Sequence, residues 1–197
     1  MWYWLFKLSA IIILKLLFRL KVEGLSNLPK KNNFIVVSNH ASFLDSFVIA
    51  AAIPNKIYCI SSRYLYKIAW LRWALRRLEA LPTGGSSKKA VDYLLNNKIV
   101  GLFPEGGCSR DGKLRRFRKG AALLALKTGR PIVPCAILGS FQALPVWAKF
   151  PKFLPVKVRI SKPIYLLKEF DEVVDDIHLQ EGIQKIKNTI QGMLDAG

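Results

Sequence analysis

The sequence predicts a single α/β domain built on a mostly parallel or mixed central sheet that is flanked by helices. Short apolar runs, each of a length suited to a buried strand, alternate along the chain with longer segments of helical periodicity. The 197 residues, of which 51% are hydrophobic, are enough to bury the core of one domain. No internal repeat, low-complexity tract or second domain boundary interrupts this alternation.

Five apolar runs predict strands, and three periodic segments predict helices. The strands are expected at residues 34–37, 56–61, 98–103, 132–138 and 156–160. The helices are expected at residues 86–96, 119–128 and 183–194. A further helix should begin with Ser42 as its cap and run through Phe47 to Ala51.

Residues 2–20 are almost wholly apolar and predict an N-terminal helix that associates with a membrane. At about 100° per residue, Lys7, Lys15 and Arg19 fall into one sector of this helix. Such an amphipathic pattern favours a helix in the membrane interface, with its cations at the phosphates, over a helix that spans the bilayer. Packing against the rest of the domain is the alternative. Residues 1–21 are therefore expected to form an anchor and residues 22–197 the globular domain.

The composition favours an anionic partner at a lipid surface. Lys and Arg number 31 against 13 Asp and Glu, a net charge of +18. The mean hydropathy of +0.21 weighs against nucleic acid as the partner, because basic proteins that bind it are usually polar, and favours an acidic membrane. Three widely spaced cysteines predict neither a disulfide framework nor a zinc site, which fits a reducing setting. The sequence carries no signal for an oligomeric state.

Two further segments combine aromatic and basic residues. Residues 63–78 predict an interfacial helix or a lid, with a helix that exposes one basic face as an equal alternative. Residues 143–155 contain three prolines, which exclude a regular helix and predict a loop that enters the lipid headgroups. His178 lies in a charged segment and is expected at the surface without a role.

His40 and Asp45 form the first candidate site. His40 follows the strand predicted at residues 34–37, and Asp45 lies one helical turn further on. A carboxylate that holds one imidazole nitrogen leaves the other free to take a proton from a hydroxyl, so the pair predicts a general base. The alternative is a capped helix start with a histidine that has no catalytic role.

A second candidate site follows the strand predicted at residues 98–103. Glycines such as Gly106 and Gly107 let backbone amides approach a ligand closely, and Arg110, Arg115 and Lys119 are suited to phosphate. The helix predicted from Lys119 would add its positive end. The alternative is a glycine-rich turn beside a solvated basic helix start.

Three blocks of sequence together resemble the glycerolipid acyltransferases, the 1-acylglycerol-3-phosphate acyltransferase family. They are Asn39-His40-x4-Asp45, Phe103-Pro104-Glu105-Gly106 and residues 132–137, and the resemblance covers residues 22–139. It implies a membrane-bound acyltransferase domain at residues 22–197, with its motif-bearing core at about 33–140, on the cytoplasmic face of the membrane. Such an enzyme transfers a fatty acyl group from acyl-CoA or acyl-ACP to lysophosphatidate or a related lyso-lipid in phospholipid biosynthesis. Neither a metal nor a cofactor is implied.

The residues fit this chemistry. His40, oriented by Asp45, would activate the acceptor hydroxyl, and a thioester is electrophilic enough to be attacked without a covalent enzyme intermediate. Backbone amides at the start of the helix after His40 or in the Gly106-Gly107 turn would stabilise the oxyanion, and the sequence leaves both open. By resemblance, Glu105 and Gly106 belong to the acceptor site, where Glu105 either fixes the turn or contacts the polar head.

Two departures from the family pattern concern the acceptor. The third block reads Glu105-Gly106-Gly107-Cys108 where the family usually has Glu-Gly-Thr-Arg. Residues 80–85 lack the arginine that the family commonly carries there. Arg110, Arg115 and Lys119 are therefore expected to replace the missing cations. Otherwise the acceptor is another lyso-lipid or amphipathic alcohol, or the protein is a non-catalytic relative that binds anionic lipid.

Overall fold

Seven strands form one mixed sheet in the computed structural model, which describes residues 2–31, 33–84, 87–166 and 175–196. The strands are β1 (Lys21–Glu23), β2 (Ile35–Ser38), β3 (Ile57–Ser61), β4 (Leu81–Pro82), β5 (Ile99–Leu102), β6 (Ile132–Leu138) and β7 (Lys157–Ile160). The helices are α1 (Trp2–Phe18), α2 (Asp45–Ala52), α3 (Ala69–Arg77), α4 (Ser87–Leu95), α5 (Gly120–Thr128), α6 (Ser140–Ala143) and α7 (Asp176–Asp195).

The strand order is β1-β7-β6-β2-β5-β3-β4. All neighbouring strands are parallel except β6 and β7, which confirms the mostly parallel, mixed sheet that the sequence predicts. The five predicted strands are present within one residue at each end. Because β2 and β5 are parallel neighbours, the segments that follow them leave the sheet at the same edge. This edge brings His40 and Glu105 together.

Each face of the sheet is covered by helices. Val36 of β2 joins the cluster that contains Leu14 and Phe18 of α1 and Val48 of α2. Its neighbours Ile35 and Val37 point to the opposite cluster, which holds residues of α4, α5 and α7. A central parallel strand with both faces buried is therefore apolar throughout, which is why residues 34–37 are recognisable in the sequence.

Helix α1 packs against α2, and this contact corrects one expectation. The predicted polar sector of Lys7, Lys15 and Arg19 is wrong: Lys15 is exposed, Arg19 lies beyond the end of the helix, and Lys7 is 4% exposed on the buried face. Lys7 Nζ donates to the carbonyl oxygens of Ile53, Pro54 and Asn55, at 2.5, 2.5 and 3.1 Å. These three carbonyls belong to the residues directly after α2, where no helical hydrogen bonds occupy them, so they can accept from a buried ammonium. Periodicity alone does not reveal such a contact. Among the described residues, no helix combines the length and the apolar composition needed to cross a bilayer.

Lys7 should contribute to stability through these hydrogen bonds. We expect Lys7→Met to lower the free energy of unfolding by about 2 kcal/mol, because hydrogen bonds to charged groups contribute roughly 1.5 to 3 kcal/mol each and part of this is offset by removing a buried charge. Lys15→Met, an exposed site on the same helix, is the matched control and should change little. Chemical denaturation of the two variants measures the difference; equal midpoints would contradict the role of Lys7.

For the other elements, the sequence predicts the type of secondary structure better than it predicts the length. α4 and α5 lie where helices are predicted, although residue 86 lies outside the described residues. The predicted helix 183–194 is the end of the longer α7, whose start is capped by the Asp175 side chain accepting from the Ile177 N–H. Residues 63–67 form a 3-10 turn before α3, and residues 144–155 contain no regular helix. β1 and β4 are missed because they have only three and two residues.

Candidate active site

The segment that follows β2 is fixed to β6 by a buried asparagine. Asn39 Nδ2 donates to the Ile137 carbonyl at 3.0 Å, and its Oδ1 accepts from the Ile137 N–H at 2.8 Å. A side-chain amide thus continues the sheet hydrogen bonding one residue beyond the strand. His40 therefore leaves the sheet edge from a rigid position.

The predicted His40–Asp45 pair is formed. Asp45 is the first residue of α2 and is fully buried, and its Oδ2 lies 3.0 Å from His40 Nδ1. The same oxygen accepts from the Ala41 and Ser42 N–H groups at 2.7 and 2.8 Å. Because this oxygen already accepts from two amides, Nδ1 is assigned as the ring nitrogen that donates to it, and in the neutral form of the ring Nε2 is left as the acceptor.

Ser42 does not cap α2 as predicted. The helix begins three residues later, at Asp45, and Leu44 directly before it makes no side-chain cap. The Ser42 hydroxyl donates to the Leu144 carbonyl at 2.7 Å and accepts from the Leu44 N–H at 3.1 Å. The Asp45 side chain, in turn, accepts from the Ala41 and Ser42 N–H groups, which precede the helix. The residue that orients His40 therefore also shapes the turn between β2 and α2.

The imidazole lies between a ring and a thiol. Phe103 stacks on His40 with 4.1 Å between ring centroids and 18° between the planes. Cys108 Sγ lies 3.1 Å from Nε2. Burial disfavours the imidazolium, but the hydrogen bonds to Asp45 and Cys108 outweigh it and raise the pKa of His40 to about 9. The sequence did not indicate either neighbour, because each depends on how the turn after β5 folds.

Glu105 joins the two strand-end segments. Its Oε1 accepts from the His40 N–H at 2.7 Å, and its Oε2 accepts from the Arg115 N–H at 2.9 Å. The side chain is 3% exposed, and burial raises the pKa of its carboxyl, against the two backbone donors that favour the charged form. Since both oxygens are engaged within the protein, these contacts fit the first of its two expected roles, which is to fix the turn.

The turn after β5 requires glycine at position 106, and the side chains of two arginines contact it. Gly106 has a φ of +71°, and a Cβ there would lie 2.5 Å from Arg118 Nε. The Arg115 guanidinium donates to the carbonyls of Gly107 and Cys108 at 3.3 and 3.4 Å. Arg115 is thus one of the predicted cations at this turn, and Arg118 joins it although it was not among the predicted site residues.

The other two predicted cations lie further from the turn. The side chains of Arg110 and Lys119 are exposed, and within the described part of the chain neither makes a side-chain hydrogen bond or an ion pair. Both remain candidates for an anionic ligand that approaches from solvent.

Arg63 stands where the sequence lacked a cation. Its Nε donates to the Thr83 carbonyl at 3.2 Å, its Nη2 to the Gly84 carbonyl, and its backbone N–H to the Thr83 hydroxyl. Thr83 follows β4 at the edge of the sheet where the parallel strands β2, β3 and β5 also end. Arg63, from the segment after β3, thus places a guanidinium beside Thr83 and Gly84, where residues 80–84 themselves carry no cation. Residue 85, which belongs to the same departure, lies outside the described residues.

A cavity of about 770 Å³ opens beside the site. Its lining includes Asn39 and Ala41, which flank His40, and Phe141 and Leu154 from the segments after β6. Its size is within the range of small-molecule sites, and its position next to the base makes it a candidate for part of a substrate.

The model of the Acyltransferase family matches residues 19–138, more than half of the chain. The chain is 32% identical over 169 residues to a chloroplastic 1-acyl-sn-glycerol-3-phosphate acyltransferase of Brassica napus, a match that covers 81% of this chain and 49% of that relative. It is 28% identical over 161 residues to a 1-acyl-sn-glycerol-3-phosphate acyltransferase of Bacillus subtilis, with 78% of each chain covered. It thus spans about half the length of its chloroplastic relatives from Brassica napus and Arabidopsis thaliana.

A solved structure is similar over nearly the whole chain. The crystal structure of PlsC, the 1-acyl-sn-glycerophosphate (LPA) acyltransferase from Thermotoga maritima, has a TM-score of 0.74 and 27% sequence identity. The match covers 95% of this chain and 79% of that chain. Sequence and fold therefore agree with the resemblance carried by the three blocks, and the chain belongs to the Acyltransferase family.

Proposed function

We propose that the protein transfers a fatty acyl group from acyl-CoA or acyl-ACP to the hydroxyl of a lyso-lipid, with lysophosphatidate as the first candidate acceptor. The observation that carries the proposal is His40, whose Nδ1 is held by the buried Asp45 while Nε2 faces the glycine turn. The names of the relatives from Brassica napus and Bacillus subtilis support the acceptor.

The chemistry requires a base and a donor of hydrogen bonds. An alcohol is a weak nucleophile at neutral pH, and Nε2 would take its proton as the new ester bond forms. The reacting form is the neutral imidazole, which is the minor form below the His40 pKa of about 9, so the rate should rise with pH toward that value. The imidazolium that results is stabilised by Asp45, and it can return the proton to the departing thiolate. No step of this reaction requires a chemical group other than the side chains and backbone amides of the site.

The hydrogen bonds favour the glycine turn over the start of α2 as the oxyanion site. The amides of His40, Ala41, Ser42 and Leu44 already donate to Glu105, Asp45 or the Ser42 hydroxyl. In the described part of the chain, the amides of Gly107 and Cys108 donate to no protein group. Preorganised donors without another partner suit a charge that develops during the reaction.

The acceptor phosphate would bind to the arginines at the turn. Arg115 and Arg118 both reach Gly106-Gly107-Cys108 while remaining exposed, so a phosphate can form bidentate hydrogen bonds with either. Arg63, next to Thr83, provides a further cation at the same edge of the sheet. These side chains take the place of the cations that the altered blocks lack.

Substitution of these arginines should weaken the binding of an anionic acceptor. We expect Arg115→Ala and Arg118→Ala each to raise the KM for lysophosphatidate about 10-fold, since a charge-assisted hydrogen bond contributes roughly 1.5 kcal/mol or more. Arg116→Ala, an exposed arginine of the same segment, is the matched control. Initial rates measured with lysophosphatidate and with an uncharged monoacylglycerol show whether the arginines bind the phosphate. An equal rise in KM for both acceptors would contradict a phosphate site.

We further propose that the protein works on an anionic membrane, with α1 lying on the lipid surface. The face of α1 that does not contact α2 exposes Trp4, Leu5, Leu8, Ile12, Leu16 and Leu17. This surface extends to α2, where the ring centroids of Phe6 and Phe47 are 5.5 Å apart. It also extends to α3, where the ring centroids of Trp2 and Trp73 are 6.0 Å apart. A contiguous apolar surface of this kind, on a chain of net charge +18, favours binding to the surface of a membrane that contains acidic lipids.

Acidic residues on α1 should release the protein from vesicles. We expect the double substitution Ile13→Glu and Leu16→Glu to reduce binding to phosphatidylglycerol-containing vesicles at least about 10-fold, because both residues are exposed and would carry charge into the lipid. Ile177→Glu changes an exposed residue of α7, on the opposite side of the sheet, and should leave binding unchanged. Vesicle sedimentation measures both; unaltered binding of the double variant would rule out α1 as the contact.

The proposed reaction is tested by the lipids that the purified protein forms. The protein is incubated with vesicles, a mixture of lyso-lipids and either acyl-CoA or acyl-ACP, and the products are identified by mass spectrometry. Formation of phosphatidate or another diacyl lipid supports the proposal and names the acceptor. Vesicle binding without any product from either donor would overturn it in favour of a non-catalytic lipid-binding protein.

A further inference from the structure

The loop between α6 and β7, residues 144–155, exposes several large apolar side chains. Trp147, Phe150 and Phe153 are 61, 82 and 55% exposed, and Leu154 is 39% exposed. Single apolar side chains are common at protein surfaces, but several large ones in one short loop form a patch of the kind that marks an interaction site. The proposed reaction gives these side chains no role.

The loop is held in place, so it cannot bury these side chains by collapsing onto the domain. The Ser42 hydroxyl donates to the Leu144 carbonyl at 2.7 Å, and the Lys152 N–H donates to the Ala143 carbonyl at 2.7 Å. The three prolines of the loop restrict its backbone further. The aromatic side chains are therefore presented to solvent by a fixed framework, and only a partner can take them out of water.

The charge of the loop favours an acidic lipid surface as this partner. Lys149 and Lys152 are exposed on either side of Phe150, and the sequence contains no Asp or Glu in residues 112–168. Rings interleaved with lysines suit the boundary between acyl chains and phosphates, where the rings lie at headgroup depth and the ammonium groups reach the phosphates. A second copy of this chain would instead bring the same positive charge to the contact.

The loop also adjoins helix α1, which is proposed to lie on the lipid. Phe153 packs edge-on against Phe18, the last residue of α1, with 5.7 Å between ring centroids. The Val156 N–H donates to the Phe18 carbonyl at 2.9 Å. The loop therefore extends the exposed apolar face of α1 beyond the end of the helix. A single helix on a surface leaves the domain free to turn about the helix axis, whereas a second contact beside it fixes the orientation.

Both ends of the loop line the cavity of about 770 Å³ that opens beside His40. Phe141 lines it just before the loop, and Leu154 and Pro155 line it where the loop ends. Trp147 lies edge-on to Phe141, with ring centroids 5.5 Å apart. A loop that enters the lipid thus brings the cavity to the membrane surface. An acyl chain then passes between bilayer and cavity with little exposure to water, where each exposed methylene disfavours the passage about fourfold.

We propose that residues 144–155 form a second lipid contact, which inserts Trp147, Phe150 and Phe153 among the headgroups of an acidic membrane and sets the orientation in which the cavity meets the bilayer. In this arrangement α1 attaches the protein and the loop orients it. The entry of substrate into the cavity rests on the proposed function, whereas the lipid contact itself does not depend on catalysis.

Vesicle sedimentation tests the contact without any turnover. We expect Phe150→Glu to weaken binding to phosphatidylglycerol-containing vesicles at least about 10-fold, because it brings a carboxylate among acidic headgroups. Tyr165→Glu is the matched control, since Tyr165 is also an exposed aromatic residue but lies beside the start of β6, away from the loop. It should bind as the wild type does. Unchanged binding of Phe150→Glu would exclude the loop as a lipid contact.

The lysines test whether the surface must be acidic. Lys149→Gln combined with Lys152→Gln should weaken binding to the same vesicles about 25-fold, since each lysine near an acidic surface contributes about fivefold. Binding to phosphatidylcholine vesicles should not change. Lys162→Gln combined with Lys185→Gln removes the same charge from exposed positions outside the loop and should have a much smaller effect. Equal losses in the two double variants would show that net charge alone matters, which contradicts a local contact.

Hydrogen exchange of the wild-type protein distinguishes lipid from a second copy. We expect the amides of residues 144–155 to exchange more slowly when phosphatidylglycerol-containing vesicles are added, and to be unaffected when the protein concentration is raised without lipid. Slower exchange that follows protein concentration would assign the loop to a contact between two copies. Exchange that neither condition slows would show that the loop stays in water. Either result overturns the proposal, and neither depends on the folding of a variant.

Substrate entry from the lipid is tested by comparing two forms of the acceptor. With a long-chain lyso-lipid embedded in vesicles, Phe150→Glu should lower the rate of transfer at least about 10-fold. With a short-chain lyso-lipid dissolved as monomers, it should retain the wild-type rate, and equal losses with both acceptors would contradict entry from the bilayer. If the wild type forms no product from any acceptor, the proposed function fails, while vesicle binding and hydrogen exchange still decide whether the loop contacts lipid.

Discussion

His40→Ala is expected to lower the rate of acyl transfer by about 100- to 10,000-fold, the range that general acid–base catalysis contributes. In the proposed reaction the imidazole moves the proton at Nε2, so alanine would leave the hydroxyl to react without a base. Asp45→Asn should have an effect of about the same size, since an amide next to Nδ1 favours the wrong tautomer of the ring. Initial rates with saturating donor and acceptor measure both variants.

The control for this prediction is the second histidine. His178 is exposed on α7, with its Nδ1 3.8 Å from Asp175 Oδ2, away from the sheet edge that carries His40. His178→Ala should keep wild-type rates. Near-normal transfer by a folded His40→Ala protein would exclude His40 as the base.

The same substitution should alter how stability depends on pH. The folded pKa of His40 is about 9, above the usual 6.5, so protonation favours the folded state. The contribution of His40 to stability should be complete below about pH 6.5 and should disappear as the pH rises through about 9. Denaturant unfolding of wild type and His40→Ala at a series of pH values should therefore give a difference that shrinks over this window; a constant difference would contradict the shift.

Glu105→Ala is expected to lower the free energy of unfolding by about 3 to 5 kcal/mol, because it removes two hydrogen bonds to a charged group, each of roughly 1.5 to 3 kcal/mol. The lost bonds tie the His40 amide and the Arg115 amide to one side chain, so catalysis should fall as well. Denaturant unfolding and initial rates of the same preparation measure the two effects.

Glu105→Gln separates the two hydrogen bonds. Its amide oxygen can still accept from one backbone N–H, but its NH₂ group cannot accept from the other. We expect a loss of stability between those of wild type and Glu105→Ala. If Glu105→Ala unfolds at the wild-type denaturant concentration, the carboxylate does not hold the turn.

The sequence predicts those parts of the fold whose signal is local. Residues 34–37 are apolar because β2 is buried on both faces, and the His40–Asp45 pair is recognisable because its partners are one helical turn apart. Lys7 was misplaced because its acceptors lie 46 to 48 residues away, at the end of another helix. Cys108 is 68 residues from His40, and its contact depends on the positive φ of Gly106. Long-range contacts of polar groups leave no periodic trace in a sequence.

Helix α2 connects the N-terminal helix α1 to the His40–Asp45 pair. It packs against α1, the Ile53 carbonyl directly after its last residue accepts from Lys7, and its first residue is Asp45. These eight residues span only about 12 Å at 1.5 Å per residue, and no flexible connection interrupts them. Removal of α1 to obtain a more soluble enzyme would uncover Val48, Ile49 and Ala52 and leave the end of α2 without its lysine. The N-terminal helix is thus part of the framework that holds His40 and Asp45, so a truncated protein should lose the alignment of this pair along with the lipid contact proposed for α1.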